Sequence, residues 1–151
     1  MMHPDVFVAQ TTSAHTNHFY KAIMAANEYK GPSVINVYTT CQPEHGVADD
    51  MAMHQAKLAA DSRAFPVFIY DPTKGERFSE RLSLQGNPAK NKDWYVNPKT
   101  GEATDFISFA KTEGRFAKHF NKEGNPDPII QKAQEDRLAN WRLLQELAGV
   151  I

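Results

Sequence analysis

Two hydrophobic periods alternate along the first seventy residues. Val6 to Gln10 (VFVAQ) is a short apolar run of the length expected of a buried strand. From Ala14 to Tyr29 the residues Phe19, Ile23, Met24 and Ala26 recur at helical spacing. A helix is expected there, with Thr11 to Ser13 offering its N-cap and Gly31 just past its end. Val34 to Tyr38 is apolar and β-branched, as in a strand buried inside a sheet. Ala48 to Ser62 predicts a second helix, packed through Met51, Leu58 and its alanines, with Asp49 and Asp50 in the first turn, where the helix dipole favours carboxylates. Pro66 to Tyr70 predicts a third strand, closed by Asp71-Pro72. Strand, helix, strand, helix, strand argues for α/β architecture, with a mostly parallel sheet and flanking helices.

The pattern changes after Asp71. Thr73 to Gly101 holds Gly75, Gly86, Pro88, Pro98 and Gly101 among scattered apolar residues. It reads as a long irregular excursion with a short extended pair, Phe78–Leu84 against Trp94–Val96. Helical spacing returns from Asp105 to Phe120, through Phe106, Phe109, Phe116 and Phe120, with Lys111, Arg115 and Lys118 on the solvated side. A final helix is expected from Pro128 to Leu147, on Ile129, Leu138, Trp141, Leu144 and Leu147. Three parts follow: residues 1–72, a β-α-β-α-β unit; 73–101, the excursion; and 102–151, a C-terminal helical extension.

A formal net charge of −1 over 151 residues, with 17 basic residues and no basic block, gives no bulk electrostatic case for nucleic acid. No apolar run is long enough for a membrane helix. The single cysteine excludes an internal disulfide and fits a reducing compartment. The first residues show no charged n-region or apolar h-region, so a cytoplasmic location is expected.

Candidate chemistry concentrates after the second strand. Thr39, Thr40 and Cys41 fall at its carboxyl end, where open α/β sheets bind ligands, and the loop from Cys41 to Asp50 carries Glu44, His45, Asp49 and Asp50. Cys41 has three readings: a small buried residue, a nucleophile with His45 as its base, or a metal ligand. A zinc or iron–sulfur site needs companion ligands, and no second cysteine exists in this chain. His15 and His18 share a helix face at i, i+3 spacing, but no third ligand is fixed by spacing. His54 and His45 flank the acidic pair and are expected in a hydrogen-bonded loop. Neither Gly75-Glu-Arg nor Lys99-Thr-Gly101 is a phosphate loop.

The stretch Val6-Phe-Val-Ala-Gln10, a helix, then Tyr29-Lys-Gly-Pro-Ser-Val-Ile-Asn-Val-Tyr-Thr-Thr-Cys41 and His45-Gly46 resembles the thiamine-diphosphate domain of pyruvate:ferredoxin (flavodoxin) oxidoreductases. Gln55-Ala-Lys-Leu58, Phe65 through Pro72 and Arg137-Leu-Ala-Asn-Trp-Arg142 extend the resemblance over nearly the whole chain, most specifically between residues 5 and 72. It implies the C-terminal part of a 2-oxoacid:ferredoxin oxidoreductase. Such enzymes decarboxylate a 2-oxoacid oxidatively to acyl-coenzyme A, using thiamine diphosphate and Mg²⁺, and pass electrons through [4Fe–4S] clusters to ferredoxin or flavodoxin. The family's cysteine at the position of Cys41 is the fourth ligand of the cluster nearest the thiamine, so the resemblance makes Cys41 a candidate metal ligand.

The departures are specific. The family's Gly-Asp-Gly diphosphate–Mg²⁺ motif and its three upstream cysteines have no counterpart here, so no thiamine, Mg²⁺ or substrate ligand carries over. The chain is expected to be half of a thiamine-diphosphate-binding fold, whether a truncated reading frame, a split subunit or an expressed fragment. Alone it is expected to be inactive and to bind none of these cofactors stably. Its expected partner is an upstream subunit or the rest of the domain. Two other expectations compete. One is a non-catalytic assembly module that self-associates as a homo-oligomer through exposed sheet surface. The other is a thiol enzyme using Cys41 and His45, which fast alkylation near neutral pH would mark.

Overall fold

A computed structural model describes residues 3–151. The first apolar run forms β1 (Phe7–Thr12), followed by α1 (Thr16–Glu28) and β2 (Ser33–Tyr38). β1 and β2 pair in parallel along their whole length, from Phe7 opposite Ser33 to Thr12 opposite Tyr38. Pro32 and Gly31 keep the helix from running into β2, because the residue before a proline is biased away from helical backbone. The cap of α1 differs from expectation: Thr11 and Thr12 complete the strand, and His15 stands at the N-cap position.

The segment after β2 folds as α2 (Gln42–His45), a 3₁₀ turn at Asp49–Met51, and α3 (Ala52–Asp61). α2 lies in a stretch expected to be loop, and Pro43 in its first turn suits a helix start. β3 (Phe68–Tyr70) then pairs antiparallel to β1, and after α4 (Phe78–Arg81) comes β4 (Leu82–Ser83), antiparallel to β3. The sheet order is β2-β1-β3-β4. The α/β class stands, but the expected mostly parallel sheet reduces to one parallel pairing against two antiparallel ones.

The cause of that reversal is local. Arg63, directly after α3, adopts a left-handed φ of 62° and turns the chain back. The side chain of Gln10 donates to Pro66 O at 2.8 Å, so the chain re-enters beside the carboxyl end of β1 and Phe68 falls opposite Gln10. Buried Arg63 is held there by donating to Pro88 O, Ala89 O and Asp93 O and by lying 4.0 Å over the Trp141 ring. Burial draws its guanidinium down to about 10, which leaves it cationic at neutral pH.

Each sheet face has its own core. On one, Phe7 and Ala9 pack with Ala22, Ala25 and Ala26 of α1, joined by Ile35 and Ile69. On the other, Tyr70, Leu82 and Leu84 meet Trp141, Leu144 and Leu147 of α6 (Pro128–Leu147). Asp127 caps α6 by accepting from Ile129 N and Ile130 N, both at 3.0 Å, and Pro128 starts it.

The expected pairing of Phe78–Leu84 with Trp94–Val96 does not form. The first segment becomes α4 and β4, whereas β5 (Tyr95–Val96) pairs with β6 (Ala103–Thr104). Between them the chain is irregular but tied down. Asn87 bonds Val67 N and O, and the Trp141 indole N–H donates to Lys92 O at 2.8 Å. The expected helix from Asp105 to Phe120 is split into α5 (Phe106–Lys111) and a 3₁₀ turn at Gly114–His119, and the break at Thr112-Glu113 has a consequence for the site.

Candidate functional site

β2 delivers Tyr38, Thr39, Thr40 and Cys41 to one end of the sheet, as its sequence position requires. Cys41 is exposed and occupies the N-cap position of α2. The buried-residue reading of this cysteine is therefore overturned. His45 N–H donates to Cys41 O at 2.9 Å, so the thiol and the imidazole sit at opposite ends of a single helical turn. Gly46 closes the turn at φ 62°, a conformation that favours glycine.

Beside this loop lies a buried carboxylate that the sequence did not single out. The Glu113 side chain has no solvent exposure. It accepts from Tyr38 O–H at 2.9 Å, from Gln55 Nε2 at 3.1 Å and from Arg115 Nε at 2.5 Å. Thr112 O–H donates to Gln55 Oε1 at 3.0 Å, which fixes that amide. His45 Nδ1 stands 3.5 Å from Glu113 Oε1, within ion-pair reach but too poorly placed for a hydrogen bond. Burial, and then donation to Glu113, raise the Tyr38 phenol, so it stays protonated and remains a donor.

Backbone contact reinforces the arrangement. Gly114 N–H donates to Gly46 O at 3.3 Å, and a β-carbon on Gly46 would lie 2.7 Å from Gly114 Cα. Two glycines thus let the turn after Cys41 seat directly on the turn after α5. Sequence reading placed Arg115 on a solvated helix face; it is exposed, and its guanidinium also reaches Glu113 and lies 4.7 Å over the Phe116 ring. The only signals in the sequence were Glu113-Gly114 interrupting an aromatic helical pattern, and Gly46 after His45.

His15 and His18 do not join this group. His15 Nδ1 lies 2.8 Å from Thr12 Oγ1, and His18 Nδ1 lies 3.0 Å from Thr11 Oγ1, at the end of β1. Burial lowers both, His18 to about 4, so they are neutral hydrogen-bonding groups at pH 7. His54 lies beside Lys57 and Asp61 in a shallow surface pocket. Among the described residues no group of three or more His, Cys, Asp or Glu could hold a metal ion. Cys41 thus belongs to no such group among the described residues. Chemically, the arrangement presents one accessible thiol on a turn whose far end, at Gly46, seats on Gly114 beside a buried carboxylate. Among the described residues no helix is long and apolar enough to cross a membrane.

No family model matches the chain. Individual relatives do. It is 29% identical to a pyruvate-flavodoxin oxidoreductase of Rhodospirillum rubrum over 99% of this chain and 12% of that protein. It is 28% identical to the ketoisovalerate oxidoreductase subunit VorB of Pyrococcus furiosus over 95% of this chain and 39% of that subunit. It is 24% identical to the pyruvate synthase subunit PorB of Thermotoga maritima over 98% of this chain and 40% of that subunit. The chain thus spans well under half the length of these curated relatives. Along nearly its whole length, it is a homologue of pyruvate-flavodoxin oxidoreductases and of the VorB and PorB subunits of 2-oxoacid oxidoreductases.

Proposed function

We propose that this chain is the Cys41-bearing portion of a 2-oxoacid oxidoreductase, inactive alone, and that in complex with a partner it supplies one thiolate to a [4Fe–4S] cluster. The observation that carries this reading is an exposed thiol at the carboxyl end of β2, on a turn anchored by Glu113 and Gly114, in a chain whose relatives are oxidoreductases. A cluster needs four protein ligands, so three must come from the partner polypeptide. When bound, such a cluster carries single electrons, here those released as a 2-oxoacid becomes acyl-coenzyme A, toward ferredoxin or flavodoxin. The residues of this chain act by positioning. Tyr38, Gln55 and Arg115 hold Glu113, and the Gly46–Gly114 contact holds the turn on which Cys41 stands. We assign no residue here to thiamine diphosphate, Mg²⁺ or the oxoacid. By the same reading residues 1–72 are the β-α-β-α-β half of a thiamine-diphosphate-type domain, 73–101 an excursion across it and 102–151 its helical extension.

An open sheet edge supports the need for a partner. β2 is an edge strand, Val34 is 55% exposed and Val37 39%, and no charge or proline lies within the strand. The test is anaerobic purification of the chain with and without the polypeptide encoded immediately upstream, followed by iron analysis and visible absorbance. A brown complex whose iron is lost on Cys41→Ser is the expected result. Colourless protein in both preparations would overturn the cluster assignment.

A further inference from the structure

The phenylalanine series that follows Asp105 enters neither sheet core. Phe106 and Phe109 of α5 and Phe116 of the next 3₁₀ turn instead meet Tyr38, at the end of β2, and Phe65, after α3, around a cavity of about 300 Å³. The rings stand at the spacings of interacting aromatic pairs. Tyr38 and Phe65 have centroids 5.4 Å apart, Phe106 and Phe109 6.1 Å, and Phe106 and Phe116 6.4 Å. Phe109 is buried, but the other four are only half-buried, so ring surface is left over to line the cavity.

The charges around this cavity do not cancel. Arg115 in its wall is paired with Glu113, and Asp136 with Lys132. Arg137 also lines it, one helical turn along α6 from Ala133, and has no ion-pair partner among the described residues. A half-buried guanidinium is thus left without a counter-ion beside five aromatic rings. A guanidinium matches a planar carboxylate, which it holds through two parallel N–H donors. Aromatic walls match a flat ring packed offset or edge-on. The volume is at the small end of the range for ligand sites, which suits a compound of one or two fused rings.

We propose that this cavity binds a small aromatic carboxylate, with its ring among Tyr38, Phe65, Phe106 and Phe116 and its carboxylate on Arg137. The Tyr38 hydroxyl donates to Glu113, so the bound ring lies one side chain away from that buried group. Cys41 is no part of the wall and every wall residue belongs to this chain, so the site stands apart from the cluster reading.

Isothermal titration calorimetry of the full chain with 2-naphthoate, and separately with the neutral 2-naphthamide, tests this. The expected result is one saturable site per chain for each compound, tighter for the naphthoate. Arg137→Gln is expected to weaken naphthoate binding about tenfold or more and to leave naphthamide binding unchanged. Ala133→Trp sets an indole against the cavity from a half-buried position on α6, and is expected to abolish binding of both compounds while the far-ultraviolet circular dichroism is retained. Arg137 has no ion pair to lose, so its variant keeps the test decisive even where Ala133→Trp disturbs folding. Absence of saturable binding, equal weakening of both compounds by Arg137→Gln, or binding that survives in a folded Ala133→Trp chain would overturn the proposal.

Discussion

Two strand ends lie side by side at one end of the sheet, and they are finished in opposite ways. At the end of β1 each threonine hydroxyl meets a histidine ring: Thr11 with His18, Thr12 with His15. That end is closed on itself. At the end of β2, Thr40 Oγ1 and His45 Nδ1 are buried without a hydrogen-bond partner among the described residues, and Cys41 is exposed. Parallel strands with the same polar endowment therefore differ in purpose. One uses its side chains to stop the sheet. The other commits none of its own to Cys41 and relies on a distant segment, Glu113-Gly114, in which Glu113 holds Tyr38 and Gly114 seats the turn. An end left unsatisfied in this way is suited to receive something from outside.

The sharpest way to break the contrast is to remove that distant support. Glu113→Ala leaves buried Gln55 and part-buried Tyr38 without their acceptor, and frees the exposed Arg115 guanidinium. The Arg115 charge left behind is solvated, so the cost lies in the two unsatisfied donors, about 1–3 kcal/mol for each when buried, or about 3 kcal/mol in all. Urea unfolding measures the loss. Amide exchange should show the Gln42–Val47 turn opening in the variant while Thr12 to Phe19 keeps its protection. Equal loss at both ends would mean that Glu113 supports the whole fold and not the β2 end.

A smaller effect is expected where the two turns touch. Gly46→Ala introduces a β-carbon 2.7 Å from Gly114 Cα and does so at φ 62°, so both the space and the backbone oppose it. The expected destabilisation is about 1–3 kcal/mol, with faster alkylation of Cys41 as the turn lifts. The matching change at a closed glycine-free end has no equivalent, which is why thiol accessibility is the readout. Unchanged alkylation kinetics would show that the glycine contact does not govern how Cys41 is presented.

These outcomes bear on what the sequence could disclose. β1, α1 and α6 were legible because each buries a stripe, and a stripe leaves a period of two or of 3.6; β2 was legible as a strand from its β-branched run, but it was expected buried and instead lies at the sheet edge with no buried residue. Cys41 was legible as a candidate because a lone thiol at a strand end is conspicuous. The direction of β3 was not, since it depends on Arg63 turning the chain at a left-handed φ, and nothing local in an arginine announces that. Glu113 was hidden by its neighbours. Phe106, Phe109 and Phe116 continue a helical period straight through it, and only contact with Tyr38 and Gln55, far away in sequence, breaks the helix there. The pairing of β4 with β3 was likewise a long-range choice between short segments of similar propensity.

The closed end yields the smallest effect, and its sign is fixed by protonation. An imidazole in water titrates at 6.5, and burial first, then the neighbouring His15 and Lys21, bring His18 down to about 4. Between these values the unfolded chain takes up a proton that folded His18 refuses. Stability at this site is therefore full above pH 6.5 and declines as the pH falls toward about 4. His15 is lowered for the same first reason and acts in the same direction. His18→Asn keeps a polar partner for Thr11 without a titrating ring, so the thermal midpoint of the variant should fall less steeply with acidification than that of the parent chain. Thermal unfolding followed at about pH 7 and near pH 5 reads the difference, with the two proteins each referenced to their own midpoint at the higher pH so that any packing loss cancels. Parallel pH profiles would mean that His18 is solvated enough to titrate normally, and the β1 end would then be no more closed than its neighbour.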